Sequence, residues 1–589
     1  MTTHSEYLVR AVRLTDIQAA GCLSVQVNGH TLAMFTYGDE VYAVDNRCPH
    51  MGFPLDRGTL KDGILTCHWH HARFDLASGG TFDQFADDVR VFPVEVRDGD
   101  VWVDLAPRGD PRAHQKDRLQ VGLERDIPLV IGKAVITLLD GGGDAVDPFR
   151  IGLDFGARYR QAGWGQGLTM LTCLMNLLPY LDAEDRPRAL YHGLSAVALD
   201  SDGSPPRFPI RPLPDSTTDI PTLKRWFRQF AEVRDAEGAE RCVVSAIRAG
   251  ADHRQLADML FTAATDHRYI QIGHVADFTN KALEALDAAG WDRPRAEATL
   301  TSLVSGYAVA DRMEESNAWR NPVDLIEILD RAFDELPAAL ETGHARRSTA
   351  WTGRNALVPV LLGEDPQAIA DALLGALREG FTEEQLGGAV AYAAALRIAR
   401  YHTSNEFSDW DTALHTFTFA NAIQQGMRRA PSVDLLRGVF DAAMSVYLDR
   451  FLNVPAAKLP EPENLPKARS VEPSEGLLAE LSALLDRQQQ VNQAGELVAR
   501  YLHGDGNPDR LLAMLGKLLL REDRDFHTIQ TIDAAFRQYA VLRGTPASVH
   551  ALVAAARYLA AHAPTVRAQG QTYQIAYRLH RGERLFAEE

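Results

Sequence analysis

The fold of the first hundred residues is decided by the stretch Asn46–Gly80, NRCPHMGFPLDRGTLKDGILTCHWHHARFDLASGG, which holds two of the chain's five cysteines and four of its nineteen histidines. Cys48 and His50 are followed after sixteen residues by Cys67 and His70, a C-x-H-x16-C-x2-H spacing. Each half presents one thiolate and one imidazole from a tight loop, and the spacer is long enough to bring the loops together. Zinc and an iron–sulfur cluster both accept such donors. Zinc-finger ligands come as Cys pairs and His pairs, whereas here each loop mixes one of each.

Outward from this stretch, Leu8 to Leu105 alternates with period two. The turn pairs Asn28-Gly29, Gly38-Asp39 and Asp98-Gly99 read as hairpins in an all-β unit. With its two mixed loops, this unit resembles the Rieske family, in which two cysteines hold one iron of a 2Fe-2S cluster and two histidines the other. The resemblance covers residues 5 to 106. It implies that Cys48 and Cys67 ligate one iron and His50 and His70 the solvent-facing iron. In the Rieske proteins of respiratory complexes each loop carries a further cysteine and the two form a disulfide; the matching positions here are Phe53 and Trp69. The serine and tyrosine that donate hydrogen bonds to the cluster in those proteins are replaced by Ala72 and Phe74. Fewer donors leave the reduced cluster less stabilised, so the resemblance implies the ferredoxin or oxygenase type, with a potential toward the low end of the Rieske range, about -150 mV. His68 stands where the family commonly has proline, and His71 where it has glycine.

Beyond this module the pattern turns helical and rich in Ala, Leu, Arg and Glu. The expected organisation is a Rieske domain at 1–106, a linker at 107–118, a helical domain at 119–452, a proline-rich linker at 453–475 and a C-terminal helical subdomain at 476–589. The fold class is thus multidomain α+β, an N-terminal all-β Rieske domain followed by a large all-α region assigned to no family.

A Rieske cluster moves one electron and makes no bonds, so the helical region must be an electron sink, an electron source or a docking body. An oxygen-activating iron would want histidines and carboxylates converging inside a helical bundle. His267 and His274 are seven residues apart, spaced for one helix face, with Asp277 one turn further. His402 pairs with Glu406 and Asp411 with His415 at i,i+4, while His192 and His527 sit in apolar helical settings. These six histidines, His192, His267, His274, His402, His415 and His527, are the candidates for a second metal. No D-x2-H-x4-5-H motif of the ring-hydroxylating oxygenases appears, and the single Glu341-x-x-His344 reads as chance. Catalytic residues stay unassigned.

No G-x-G-x-x-G or P-loop is found, so electrons are expected from a separate NAD(P)H-dependent reductase or ferredoxin. The formal charge of -18 argues against nucleic acid and anionic lipid as partners. Apolar runs such as LTMLTCLMNLLPYL fall short of a membrane span, and the start lacks a signal-like apolar segment, which predicts an unanchored cytoplasmic protein. Cys22, Cys173 and Cys242 are scattered singly and read as small core residues. The leading expectation is an oxidoreductase of the oxygenase or oxidase class, in which the 2Fe-2S cluster feeds a non-haem iron that oxidises or hydroxylates a small molecule. The alternative is a Rieske electron carrier whose helical region serves docking or homo-oligomer assembly.

Overall fold

The computed structural model describes residues 7–107, 110–214, 218–347, 353–465 and 474–585. They form two compact units, residues 1–148 with 571–589, and residues 149–570.

The first unit is built on ten strands in three antiparallel sheets. β1 (Leu8–Arg13), β10 (Asp100–Asp104) and β9 (Val94–Arg97) form one. β2 (Cys22–Val27), β3 (His30–Tyr37), β4 (Glu40–Asp45) and β8 (Val91–Phe92) form the second. β5 (Thr59–Lys61), β6 (Ile64–Thr66) and β7 (Arg73–Asp75) form the third. The β2–β3 and β9–β10 hairpins turn on Asn28-Gly29 and Asp98-Gly99, with both residues of each pair at positive φ, as a two-residue turn that follows strand twist demands. Alternating residues feed one core, with Leu32, Met34, Val101 and Val103 fully buried around Ile17 of the short helix α1 (Leu14–Ala20).

The expected linker at 107–118 is largely helix: α2 runs Pro111–Glu124 and α3 Pro128–Leu139. Asp110 caps α2 by accepting from Arg112 N–H, and Pro111 opens it. The Asp-Pro pair is thus a helix start inside a polar composition that resembles a linker. Both helices belong to the compact unit of the β-sheets, where Arg118 donates to the carbonyls of Gln84 (3.1 Å) and Ala86 (2.8 Å).

Among the described residues the second unit is all helical. Four of its helices, Gln166–Leu177, His274–Ala289, Phe407–Arg429 and Phe526–Leu542, pack in a closed ring, each against the next. The expected C-terminal subdomain at 476–589 therefore does not stand apart. The Phe526–Leu542 helix buries Ile529, Ile532 and Phe536 inside this unit, and its neighbours in the ring come from residues 166–177 and 407–429. Within the expected linker at 453–475, the described residues 454–465 carry no helix or strand, and 466–473 lie outside the described residues. No helix among the described residues is long and apolar enough to cross a membrane.

Candidate metal centres

The Cys48 loop follows β4, and the Cys67 loop joins β6 to β7. Each is closed by its own backbone: Cys48 N–H donates to Phe53 O and Cys67 N–H to Ala72 O, both at 2.8 Å. Both thiols are buried. Backbone N–H groups of His50 and Met51 point at Cys48 sulfur, those of Trp69 and His70 at Cys67 sulfur, and all four lower the pKa of their thiol. The two thiols share a hydrogen bond, which pushes Cys48 up and holds Cys67 down, to about 6. The His50 and His70 rings meet edge to face at 4.9 Å, and burial holds His50 down to about 4. His50 Nδ1 is buried with no hydrogen-bond partner among the described residues. An orphaned ring nitrogen, a second imidazole and two adjoining sulfurs fit the 2Fe-2S donor set.

The departures noted in the sequence acquire reasons. Phe53 and Trp69 lie 6.0 Å apart between ring centroids, so an aromatic contact spans the two loops at these positions. His71 sits at φ 60°, the left-handed backbone that favours glycine at this position. His68 bonds through Nε2 to Thr59 Oγ1. Ala72 and Phe74 are fully buried and bring no hydroxyl.

One neighbour was missed in the sequence. Lys133, in the apolar helix α3, donates through Nζ to the carbonyls of Pro49 (2.8 Å) and His50, and burial pulls its ammonium down to about 8. A lone lysine inside PLVIGKAVITLL was the available signal.

The model of the Rieske [2Fe-2S] domain matches residues 7–93. The ferredoxin component of the naphthalene 1,2-dioxygenase system of Pseudomonas putida is 31% identical over 99 residues, 17% of this chain and 95% of that protein. Through its N-terminal domain, the chain belongs to the Rieske family. The oxygenase subunit of 3-chlorobenzoate-3,4-dioxygenase from Comamonas testosteroni is 32% identical over 114 residues, 18% of this chain and 26% of that protein. A chain of the solved complex of reduced oxygenase and oxidized ferredoxin in carbazole 1,9a-dioxygenase is 26% identical, covering 18% of this chain and all of its own length, with a TM-score of 0.17. The Rieske domain is thus homologous to both ferredoxin and oxygenase components of dioxygenase systems.

In the helical unit three of the six candidate histidines converge. His415 Nε2 lies 3.2 Å from His274 Nε2 and 3.1 Å from His527 Nε2, and the three ligand atoms lie within 4.8 Å of one another. Two ligands about 2.05 Å from one ion stand about 2.9 Å apart at a right angle and about 3.3 Å apart at the tetrahedral angle, so these separations match a shared metal. His415 Nδ1–H donates to the Asp411 carbonyl at 2.6 Å, which leaves the lone pair on Nε2. Burial holds His274 down to about 3 and His415 to about 4, and lowers His527, so it favours the neutral imidazole at all three. Among the described residues no carboxylate joins them.

Three elements set the geometry. His274 opens its helix after a strained run in which Tyr269, Gln271 and Ile272 take φ of 43°, 50° and 49°. A β-branched residue there is a genuine outlier, and the run is pinned by Gln271 N–H to Asp311 O (2.8 Å) and Asp311 N–H to Gln271 Oε1 (2.9 Å). Gly273, at φ 93°, lies so close to the His415 helix that a Cβ would stand 2.7 Å from Phe419 Cβ. His527 sits in the first turn of its helix, capped by Asp525 through Thr528 N–H at 2.9 Å. Phe278 and Phe526 flank the His274 ring at 5.2 and 5.7 Å.

The other three candidates lie elsewhere. The strained run breaks the helix expected to carry His267 and His274 on one face, and His267 Nδ1 instead bonds Glu314 at 2.7 Å, with a Glu232 oxygen 2.9 Å from its Nε2. His402 precedes the helix that begins at Phe407, so its i,i+4 relation to Glu406 is not helical, and its Nδ1 meets Ser404 Oγ at 2.7 Å. His192 is a buried core histidine on Arg186–Ser201 with a hydrogen bond to Gln569.

Proposed function

We propose that the chain is an oxidoreductase of the oxygenase or oxidase class: the Rieske cluster at Cys48, His50, Cys67 and His70 supplies electrons to a mononuclear non-haem iron held by His274, His415 and His527, where a small molecule is oxidised. The convergence of three neutral Nε2 atoms in a unit fused to a one-electron carrier carries this reading. Zinc accepts three histidines equally well but has no redox chemistry, so a cluster beside it would have no use. Three protein ligands leave positions for oxygen and substrate, and bound iron would supply the oxygen-activating chemistry there. The residues do the rest. The Asp411 carbonyl fixes the His415 tautomer, Gly273 and the strained run before it aim His274, and Phe278 and Phe526 cover one side of the group. Electrons enter from a separate NAD(P)H-dependent reductase or ferredoxin.

The test is iron, zinc and acid-labile sulfide per chain on anaerobically purified protein, with Cys67→Ser and His415→Ala alongside. The expected result is three irons and two sulfides, with one iron surviving in Cys67→Ser and two irons with both sulfides in His415→Ala. Two irons alone in the parent protein, unchanged by His415→Ala, would refute the reading and favour an electron carrier.

A further inference from the structure

The helix that begins at His274 carries Asp277, Lys281 and Glu284 along the same stripe, at steps of three, four and three residues. This stripe faces the interior of the four-helix ring, and all three groups are buried. Lys281 Nζ donates to Glu284 Oε2 at 2.9 Å and to Asp533 of the His527 helix. Asn176 Nδ2 bridges Glu284 Oε2 (2.7 Å) and Asp533 Oδ2 (3.4 Å), Asn280 Nδ2 donates to Glu284 Oε1 at 3.0 Å, and Arg537 reaches Glu284 Oε1 at 3.5 Å. At its far end the network opens into a cavity of about 620 Å3 whose lining includes Asn176, Asn280, Glu284 and Arg537.

Charge counting singles out one member. Three carboxyl groups, Asp277, Glu284 and Asp533, face two cations, Lys281 and Arg537. Glu284 and Asp533 are ion-paired, whereas both oxygens of Asp277, which is 1% exposed, are buried with no hydrogen-bond partner among the described residues. A bare buried carboxylate without donors is prohibitively costly, so the site is neutral only if Asp277 holds a proton. Burial accordingly pushes its carboxyl up to about 8, with Lys281 opposing and Glu284 and Asp533 adding to the rise. A packed apolar core would be cheaper than this network, which argues for a role beyond stability.

Oxygen chemistry driven by a one-electron carrier needs protons as well as electrons. Hydroxylation balances as S–H + O2 + 2 e⁻ + 2 H⁺ → S–OH + H2O, with the two electrons passed one at a time through the cluster from the separate NAD(P)H-dependent reductase or ferredoxin. We propose that Glu284, Lys281, Asp533 and Asp277 form the proton-delivery route from the surface cavity to the three-histidine site, with Asp277, one turn from His274, as its terminal donor. The inference rests on the metal reading above. Neighbouring turns place side-chain roots about 5–6 Å apart, a span that one side-chain rotation or one water bridges. Once Asp277 has given up its proton, Lys281 stabilises the anion until a proton taken up at the cavity is relayed past the ion-paired Glu284.

The experiment uses the full-length metal-loaded protein and Asp277→Asn, Asp277→Glu and Glu284→Gln, with metal content measured on each. Infrared spectroscopy in H2O and D2O reads the carbonyl stretch of a buried protonated carboxylic acid. Stopped-flow absorbance follows reoxidation of the chemically reduced protein by O2, with His415→Ala as the baseline for the cluster alone. In difference spectra against the parent, the expected result is that Asp277→Asn removes one carbonyl component, the buried carboxyls of Asp441 and Asp449 supplying the rest, and slows the metal-dependent phase on the order of 100-fold at full metal content. Asp277→Glu should restore the component and most of the rate, while Glu284→Gln keeps the component and slows the phase. A parent-minus-variant spectrum in which Asp277→Asn has lost no carbonyl component, or an unchanged rate at full metal content, overturns this inference alone. A parent protein with only the two cluster irons overturns it together with the metal reading.

Discussion

Replacing Lys133 by methionine should lower the midpoint potential of the Rieske cluster. The ammonium is bonded to the carbonyls of Pro49 and His50, so its positive charge would act on an iron held by the His50 ring. Reduction adds one negative charge to the cluster, and a cation nearby favours that state. With about 8 Å between Nζ and the iron and an effective dielectric constant of about 20, the interaction is about 2 kcal/mol. For a one-electron couple that corresponds to about 90 mV. Methionine keeps the apolar stem that packs in α3 and removes only the charge and its hydrogen bonds. The assay is a redox titration followed by electron paramagnetic resonance at pH 6.5, where the ammonium of the parent protein is fully charged. The expected outcome is a shift of roughly 60–120 mV to more negative potential in Lys133→Met, little change in Lys133→Arg, and an unaltered resonance line shape in both. A shift below about 20 mV with the line shape intact would show that the Lys133 charge does not act on the cluster.

Three further outcomes follow from the geometry. Gly273→Ala adds a methyl group 2.7 Å from Phe419 Cβ at a φ of 93°, so it should lower binding of the third metal at least tenfold while leaving the cluster spectrum unchanged; metal analysis after dialysis decides. His71→Gly relieves a left-handed backbone costing about 1–2 kcal/mol but adds about 0.4–1 kcal/mol of unfolded-state entropy, a net gain of about 0.5–1 kcal/mol. Its denaturation midpoint, followed by cluster absorbance, should therefore rise. Asp449 is raised by burial from 3.8 to about 7, so its contribution to stability is complete below about pH 4 and is lost as pH rises through 7. Asp449→Asn has no proton to lose, so its stability relative to the parent should improve between pH 5 and 7, by up to about 1.4 kcal/mol per pH unit in urea unfolding; parallel pH profiles would contradict this.

The two centres differ in how far the sequence reveals them. Cys48, His50, Cys67 and His70 lie within 23 residues, on two short loops whose shape is set by local hydrogen bonds, so spacing alone places all four together. His274, His415 and His527 come from helices whose meeting depends on packing across more than 250 residues, which no local pattern encodes. The pairing of His267 with His274 fails for a definable reason: the left-handed run at Tyr269–Gly273 turns one expected helix into two. Asp411 and His415 do share a helix, but the group that orients His415 is the Asp411 carbonyl and not its carboxylate. Lys133 was hidden by the segment around it, which reads as plain core.

The buried charge on the His274 helix sharpens what the helical unit is for. A docking body needs a surface, and it gains nothing from Lys281, Asp533 and Asp277 sealed in its interior, where each charge costs desolvation that only good pairing recovers. A redox metal in the same interior changes that balance, because every electron it receives raises the local negative charge in a medium that screens poorly. A proton-holding carboxyl one turn from His274, and beyond it a pair of carboxylates buffered by a lysine two turns away, would offset that charge as it arrives. The three histidines and the ionisable stripe thus account for each other: a metal on the histidines would explain why the stripe is buried, and the stripe would let a dry site accept electrons one at a time.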